Sequence, residues 1–380
     1  MSLLGVHMAL SAGPTVPLPL PPDVALRVRS VQVTESDARP SVFSIVLDAG
    51  RSGPTAALDS PVLTTSPLRA NARVVVELTT GVLPQVLVDG IVTETTLVPG
   101  GGDQRAELTL TGRDLSVLLD RHEVSTEHVA LEDSLQVLAI AGTYAPHGIV
   151  PQVLPPPVMD VPLPIERTPT QQVTDWRHLT NLAARHGYVC YFVPGPVRGL
   201  STLYWGPAVR AGVPQPAISV DLGPATNVQG QVSFTTDVLR PENVEGQVQD
   251  ARTGQTLPVR TVVPTRPPLS AVPVWAEHQD ALRSRQFRGT GISAAAAFAR
   301  AQGVLDESVD AVTATGTLDG GAYGTVLRPR TLVGMRGAGW AGDGLWYVQQ
   351  VVHRVSRGAY SAAFTLQREG AGAITPVVMV

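Results

Sequence analysis

The chain predicts a mainly β protein in which two β-barrel domains flank an α+β insert, and three observations carry that expectation. It holds 33 prolines and 36 glycines among 380 residues, too many for a helical protein, beside a hydrophobic content of 43% that suffices for burial. Two long stretches, 24–120 and 228–369, read as short alternating or apolar runs separated by turn-forming phrases such as DARP, TGVLP and PGGGD. Between them the apolar period shifts from two to that of a helix. A chain of this length is expected to hold two or three domains.

The elements follow in order. Residues 1–22 carry no Arg or Lys before their apolar part, and prolines at 14, 17, 19, 21 and 22 interrupt any helix, so they predict an extended N-terminal arm and no signal peptide. Strands are expected at 25–35, 41–48, 72–80, 84–98 and 105–119, forming a first barrel domain over 23–120, with Gly90 marking a bend. A middle domain spans 121–222. Its first helix, 131–142, aligns Leu131, Leu135 and Leu138 and stops at Gly142. The prolines of 150–169 dictate an extended connector.

The most informative phrase is DWRHLTNLAARHGY, 175–188. Trp176, Leu179, Leu182 and Ala183 recur at helical spacing, Thr174 or Asp175 can cap the first amides, and Gly187 can end the last turn in the left-handed conformation. Tyr188 opens the strand YVCYFV, which a Pro/Gly turn connects to TLYWGP in a hairpin. A second barrel domain is expected over 223–370. Its strands fall at 228–238, 243–251, 308–319, 331–337, 344–356 and 359–369, the last two meeting across Arg357-Gly358. A loop insertion is expected near 252–290, with 258–273 on the surface, followed by a Ser293-capped alanine helix and, at the chain's end, a tail over 371–380.

Composition excludes several functions. A net charge of −4 gives no nucleic-acid footprint and no polybasic patch, and no apolar run approaches bilayer-spanning length, so no direct membrane anchor is expected. All 28 basic residues are arginine, which fits a GC-rich codon supply, and they do not cluster as a phosphate clamp would. Cys190, the one cysteine, allows no internal disulfide. No metal, catalytic or cofactor residue is assigned, because HExxH, CxxC pairs, EF-hand spacing and GxSxG are all missing. His178 and His186 lie two turns apart, about 80° around a helix axis, and do not suit one metal. The cluster His122, Glu123, Glu127 and His128 reads as a turn, Glu132-Asp133 as helix-start charge, and PGGGDQ (99–104) as a hairpin turn. Trp205, Trp275, Trp340, Trp346 and Tyr347 suit a core or a subunit interface better than a sugar platform. The phrase GWAGDG (339–344) reads as an exposed loop, with Trp340 and Asp343 the candidate partner contacts.

The order and spacing of these phrases resemble the phage late control D family. The resemblance runs from about Leu26 to Glu369, through RVRSVQVTESDARPSVFSIVLD, LTLTGRDLSVLLDR, DWRHLTNLAARHGY, LRPRTLVGMRG and GLWYVQQVVHRVSRGAYSAAFTLQRE. It implies the baseplate hub of a contractile injection system: two tube-like β-barrel domains per chain, and a homotrimer that joins a sixfold inner tube to a threefold spike. The implied partners are a second and third copy, the inner tube protein, a separate spike protein and other baseplate proteins, assembled in the cytoplasm into a contractile particle. Some relatives continue beyond the position of Glu369 into an oligosaccharide-fold barrel and a needle, a segment not found before Val380. Two rival classes are a cell-wall hydrolase and a carbohydrate-binding protein at a tail tip.

Overall fold

The computed structural model describes residues 5–37, 39–50, 62, 66–81, 83–100, 105–157, 168–250, 254–261, 263–289 and 293–374. The protein is mainly β, as expected, and its centre is a large, largely antiparallel sheet of thirteen strands. Alternation explains its strands directly. In Val42–Asp48 (VFSIVLD), Phe43, Ile45 and Leu47 are buried while the intervening residues are partly open. Arg73–Thr79 (RVVVELT) is buried on both faces, Val74, Val76 and Leu78 in the core and Arg73, Val75 and Glu77 towards the middle region, where the two charged residues are paired. The 14-residue strand Gln85–Val98 changes neighbour along its length. Its first half pairs with Arg73–Thr79 and its second with Glu107–Asp114. Gly90 sits at that switch, where a Cβ would lie 2.2 Å from the Arg113 carbonyl oxygen.

Two five-strand units share this sheet and have one topology. The first runs Val28–Ser36, Val42–Asp48, Glu107–Asp114, Gln85–Val98, Arg73–Thr79; the second runs Val228–Thr236, Val312–Asp319, Ala359–Arg368, Gly344–Ser356, Leu332–Arg336. In chain order each reads first, second, fifth, fourth, third. The likeness extends to single hydrogen bonds. Asn71 N–H donates to Val92 O (2.8 Å) and Arg330 N–H to Val348 O (2.7 Å), while Val92 N–H and Val348 N–H donate to Ala72 O and Thr331 O, each at 2.9 Å. Asn71 and Arg330 both take left-handed backbone, with φ of 65° and 66°. A bulge follows immediately in both long strands, after Val92 and after Val348.

The units are joined edge to edge. The second half of Gly344–Ser356 pairs antiparallel with Val28–Ser36, setting His353 opposite Val33, and one hydrophobic core runs through both units. Within the second unit, Gln215–Ser219 pairs with Leu332–Arg336, and Asn227 bridges from it towards Val228–Thr236. Its N–H donates to Ser219 O (3.1 Å), its Oδ1 accepts from Ser219 N–H (2.8 Å), and its Nδ2 donates to Ala217 O (3.0 Å).

The middle region is the expected helix-and-hairpin unit. Helices Asp133–Thr143 and Asp175–Arg185 pack with the sheet of Val189–Pro194, Ser201–Gly206 and Ile149–Val153 around Leu179, Leu182, Phe192, Leu203 and Trp205. Ile149–Val153 is a true strand despite Pro151. It lies on the sheet edge, and Leu154 N–H, an odd number of residues away, donates to Trp205 O, which turns the missing donor of Pro151 outward.

Several expectations need correction. The N-terminal segment does not project as an arm: His7–Gly13 pairs along its whole length with Arg73–Thr79, whose free edge and apolar flank it covers. The polar cluster at 122–128 is not a turn, since Glu123–Glu127 pairs with Thr170–Thr174. Leu135 and Leu138 face outward, because Val137, Ile140 and Ala141 take the core and Gln136 is drawn to His178. The predicted strand at 243–251 does not join the second unit. Instead Glu242–Gln249 forms a separate sheet with Thr256–Thr261 and Arg283–Gly289, covered by helix Ala294–Ser308 through Ala297, Ala301 and Leu305. The expected surface loop at 258–273 therefore supplies an edge strand, where Pro258 is tolerated, and the strand Ser270–Pro273, which pairs with Gly370–Ala373 of the expected tail. Residues 101–104 of the PGGGDQ turn, 158–167 of the connector and 375–380 of the tail lie outside the described residues.

Candidate assembly interfaces

The helix Asp175–Arg185 fixes the middle region because each end is stopped chemically. Thr174 Oγ1 accepts from Arg177 N–H at 3.3 Å, and Gly187 takes φ +64°. Leu179, Leu182 and Ala183 are buried and Trp176 is half-buried, stacked on Phe192 with ring centroids 5.9 Å apart. Tyr188 packs edge-on against Trp205, whose Nε1–H donates to Leu179 O at 3.1 Å. Gly187 also touches the Ala294–Ser308 helix, since a Cβ on it would lie 2.7 Å from Gly303 Cα. These residues hold the middle region in place.

Three histidines, His128, His178 and His186, are spent in the same way. His178 Nε2 faces Gln136 Oε1 (3.1 Å), and its ring stacks on His128, which faces Gln171 Oε1 (3.1 Å). Burial, then the neighbouring His128, lowers the His178 pKa to about 4. His186 reaches Asp133 at 2.9 Å. Burial works against ionisation of Asp133, but His186, Arg185 and Arg300 outweigh it and hold the carboxyl below its usual range. Among the described residues no group of three His, Cys, Asp or Glu side chains is placed to hold a metal ion.

Buried arginines tie the regions together. Arg73 forms a bidentate pair with Asp89 (2.7 Å to each oxygen) and donates to His147 O and Gly199 O across the boundary with the middle region. Arg330 donates to Ser36 O and Phe192 O and lies 3.8 Å over the Tyr191 ring, so three regions meet on one side chain. Arg328 pairs with Glu35 at 3.0 Å, and Arg210 pairs with Asp310. Desolvation raises the pKa of Glu35 despite Arg328. Each of these carboxylates is bound to an arginine, and the arrangement is that of internal joints.

The loop after Leu332–Arg336 is the exposed aromatic feature that the sequence singled out. Trp340 is 67% exposed, yet the loop beneath it is rigidly built. Asp343 Oδ1 accepts from Ala338 N–H (2.8 Å), Trp346 Nε1–H donates to Gly342 O (2.8 Å), and Arg368 donates to Ala341 O and Asp343 O while lying 4.1 Å over the Trp346 ring. Asp343 thus shapes the loop and Trp340 is its presented surface. Trp205, Trp346 and Tyr347 are buried and cannot form a sugar platform. The feature that sequence reading missed is the pair of exposed strand edges at Thr93–Val98 and Val228–Thr236; the apolar residues Leu97, Val98 and Phe234, exposed in threonine-rich segments, were the signal available.

No protein-family model matches the chain, and no curated protein does. Solved structures do. The tail protein from Neisseria meningitidis MC58 is similar over 97% of this chain and 98% of its own, with a TM-score of 0.62 at 14% identity. The 43 kDa tail protein of prophage MuSo2 from Shewanella oneidensis matches 95% of this chain and 98% of its own, with a TM-score of 0.60 at 13% identity. An E. coli component of the type VI secretion system, described as structurally similar to the T4 bacteriophage tail proteins gp27 and gp5, matches 92% of this chain and 75% of its own, with a TM-score of 0.56 at 12% identity. At such identities the likeness is one of fold, and it spans nearly the whole chain. No helix among the described residues is long and apolar enough to cross a membrane.

Proposed function

We propose that this chain is a non-enzymatic baseplate hub of a contractile, phage-tail-like injection apparatus, of the late control D type. The observation that carries the reading is the pair of five-strand units with one topology, one bulge and one left-handed corner each, joined edge to edge in a single chain. Three such chains offer six near-equivalent units, so a threefold assembly can face a sixfold inner tube on one side and a threefold spike on the other. On this reading 23–120 and 223–370 are the tube-like domains, the latter carrying the folded insert, and 121–222 is the middle domain. The partners are two further copies, the inner tube protein, a separate spike protein and other baseplate proteins, with assembly in the cytoplasm. The fold shared with phage tail proteins and with a type VI secretion component supports that setting. Internal consumption of the buried histidines and carboxylates supports a mechanical role. The Trp340 loop is the proposed contact for a partner protein.

Electron microscopy of sedimented native lysate, with this chain tagged and gold-labelled, tests the reading. Label at one end of sheathed rods is expected. Label confined to the soluble fraction of cells that express the chain and contain rods without it refutes the hub role.

A further inference from the structure

Within the two five-strand units, two strand edges have no neighbour among the described residues. One is Thr93–Val98, where Gln85–Val98 has left Arg73–Thr79 behind, and the other is the outer edge of Val228–Thr236. In the opposite units, the strands at these two positions are Gly344–Ser356 and Val28–Ser36, which pair with each other inside the chain. The internal joint is therefore a template for the free edges. Val92 and Val348 hold equivalent places before the bulge, so Leu97 corresponds to His353. Phe234 faces Ala314 as Val33 faces Phe43, and each of those partners stands at the same place in its unit, so Phe234 corresponds to Val33.

From this we infer that strand Gln85–Val98 of one protomer pairs antiparallel with Val228–Thr236 of a second copy, setting Thr95 opposite Thr236, Thr96 opposite Thr235, Leu97 opposite Phe234 and Val98 opposite Ser233. The inference rests on the trimeric reading above and supplies its register. The central pair is apolar and waiting: Leu97 is 44% and Phe234 36% exposed, whereas the matching internal pair, His353 and Val33, is fully buried. Neither four-residue run contains a charge or a proline, the devices by which exposed edges are usually kept from pairing. The next pair would set Glu94 against Asp237, which ends the ladder at Thr95. Each copy offers one edge of each kind, a heterologous arrangement that a threefold rotation between copies closes into a ring. Three copies then have six joints, three inside chains and three between them.

Cysteine cross-linking tests the register. In the internal joint Asp37 N–H donates to Gln349 O, which makes Val33–His353 a hydrogen-bonded pair and Thr34–Val352 a non-hydrogen-bonded one. Thr235–Thr96 inherits the latter geometry, with Cα atoms about 4.5 Å apart, inside the range for a disulfide. Oxidation of the Thr96→Cys, Thr235→Cys double variant is expected to give covalent trimers, and an equimolar mixture of the two single variants only dimers. The slipped combination Glu94→Cys with Thr235→Cys, and the unaltered chain with its Cys190, are expected to stay uncrosslinked. Phe234→Asp is expected to shift the native mass from trimer to monomer with an unchanged circular dichroism spectrum. A native trimer in which the Thr96–Thr235 pair fails to cross-link overturns this pairing and leaves the trimer standing. A monomer at every concentration overturns both.

Discussion

Replacing Arg73 with methionine should uncouple the middle region from the first β unit, and the structure sets the cost. Arg73 and Asp89 have side-chain exposures of 7% and 2%, and the guanidinium makes four hydrogen bonds, two to Asp89 and one each to the carbonyls of His147 and Gly199. Methionine fills much of the volume but leaves the Asp89 carboxylate buried with Ser201 Oγ, at 3.2 Å, as its remaining side-chain donor. Breaking one side of a buried ion pair costs about 3–5 kcal/mol. Removing both charges, as Arg73→Met with Asp89→Leu, leaves no orphaned charge, but two carbonyls short of a donor and the buried Ser201 hydroxyl short of its acceptor, at about 1 kcal/mol each. The double variant should therefore be more stable than the single. Urea unfolding followed by tryptophan fluorescence, to which Trp176 and Trp205 of the middle region contribute two of five rings, reads the overall loss, and amide exchange in Ser201–Gly206 localises it. A single-variant loss below about 1 kcal/mol, or a double variant as damaged as the single, would refute the view that this pair is the joint.

Three further outcomes are expected. Gly187→Ala should cost about 2 kcal/mol or more, the sum of a left-handed backbone penalty and a Cβ driven against Gly303, and an unchanged urea midpoint would contradict that contact. Stability should fall with acidification: burial lowers His178 to about 4 and His353 to about 3, so between these values and the ordinary 6.5 the unfolded chain binds protons that the folded chain refuses. The loss begins as pH falls through 6.5 and amounts to about 3 kcal/mol from His178 alone; His178→Gln should flatten the slope of stability against pH, and an unaltered slope would show that this ring is not the titrating group. Trp340→Ala should leave the melting temperature within about 1 °C while weakening capture of the partner in pull-downs from assembled particles, and undiminished capture would remove the loop from the interface.

The parts of the fold legible in sequence are those governed by local chemistry. Helix Asp175–Arg185 carried its apolar stripe, its Thr174 cap and its Gly187 stop within fifteen residues, and the hairpin across Arg357-Gly358 carried its turn between two alternating runs. Readings failed where a distant partner decided the outcome. Nothing local to His7–Gly13 announces that Arg73–Thr79 needs a neighbour, and nothing in NVEGQVQDA says that it belongs with Thr256–Thr261 and Arg283–Gly289 and not with the second unit. Helix Asp133–Thr143 was found but turned the wrong way, since its leucine row is overruled by Gln136, whose bonds to His178 and to Leu131 O require the opposite face inside. The candidate interfaces were half legible. The exposed Trp340 loop followed from its glycines, whereas the two free edges became visible only against their paired counterparts.

The internal repeat escaped the sequence for a reason that its core makes plain. In the first unit Phe43 lies opposite Gly112 and Ile45 opposite Leu110; at the same places in the second unit Ala314 lies opposite Leu366 and Gly316 opposite Phe364. Each unit sets one aromatic ring over one glycine, so close that a Cβ on Gly112 would lie 2.3 Å from Phe43 Cζ and one on Gly316 2.6 Å from Phe364 Cζ. The ring sits on opposite strands and two residues apart in the two units, so comparison of residues finds no identity, although each unit fills this space with one Phe, one Gly and one Leu, beside an Ile in the first and an Ala in the second. Close packing constrains that volume and leaves its division between strands free. Backbone geometry has no such freedom, which is why the repeat survives in the left-handed corners at Asn71 and Arg330 and in the bulges that follow. Those features set where each long strand turns away from its first neighbour, and hence where an edge is exposed to a second one. If a threefold ring depends on six matching joints, selection acts on that turning point, and it is the corner and the bulge, more than any core side chain, that an assembly of this kind must keep.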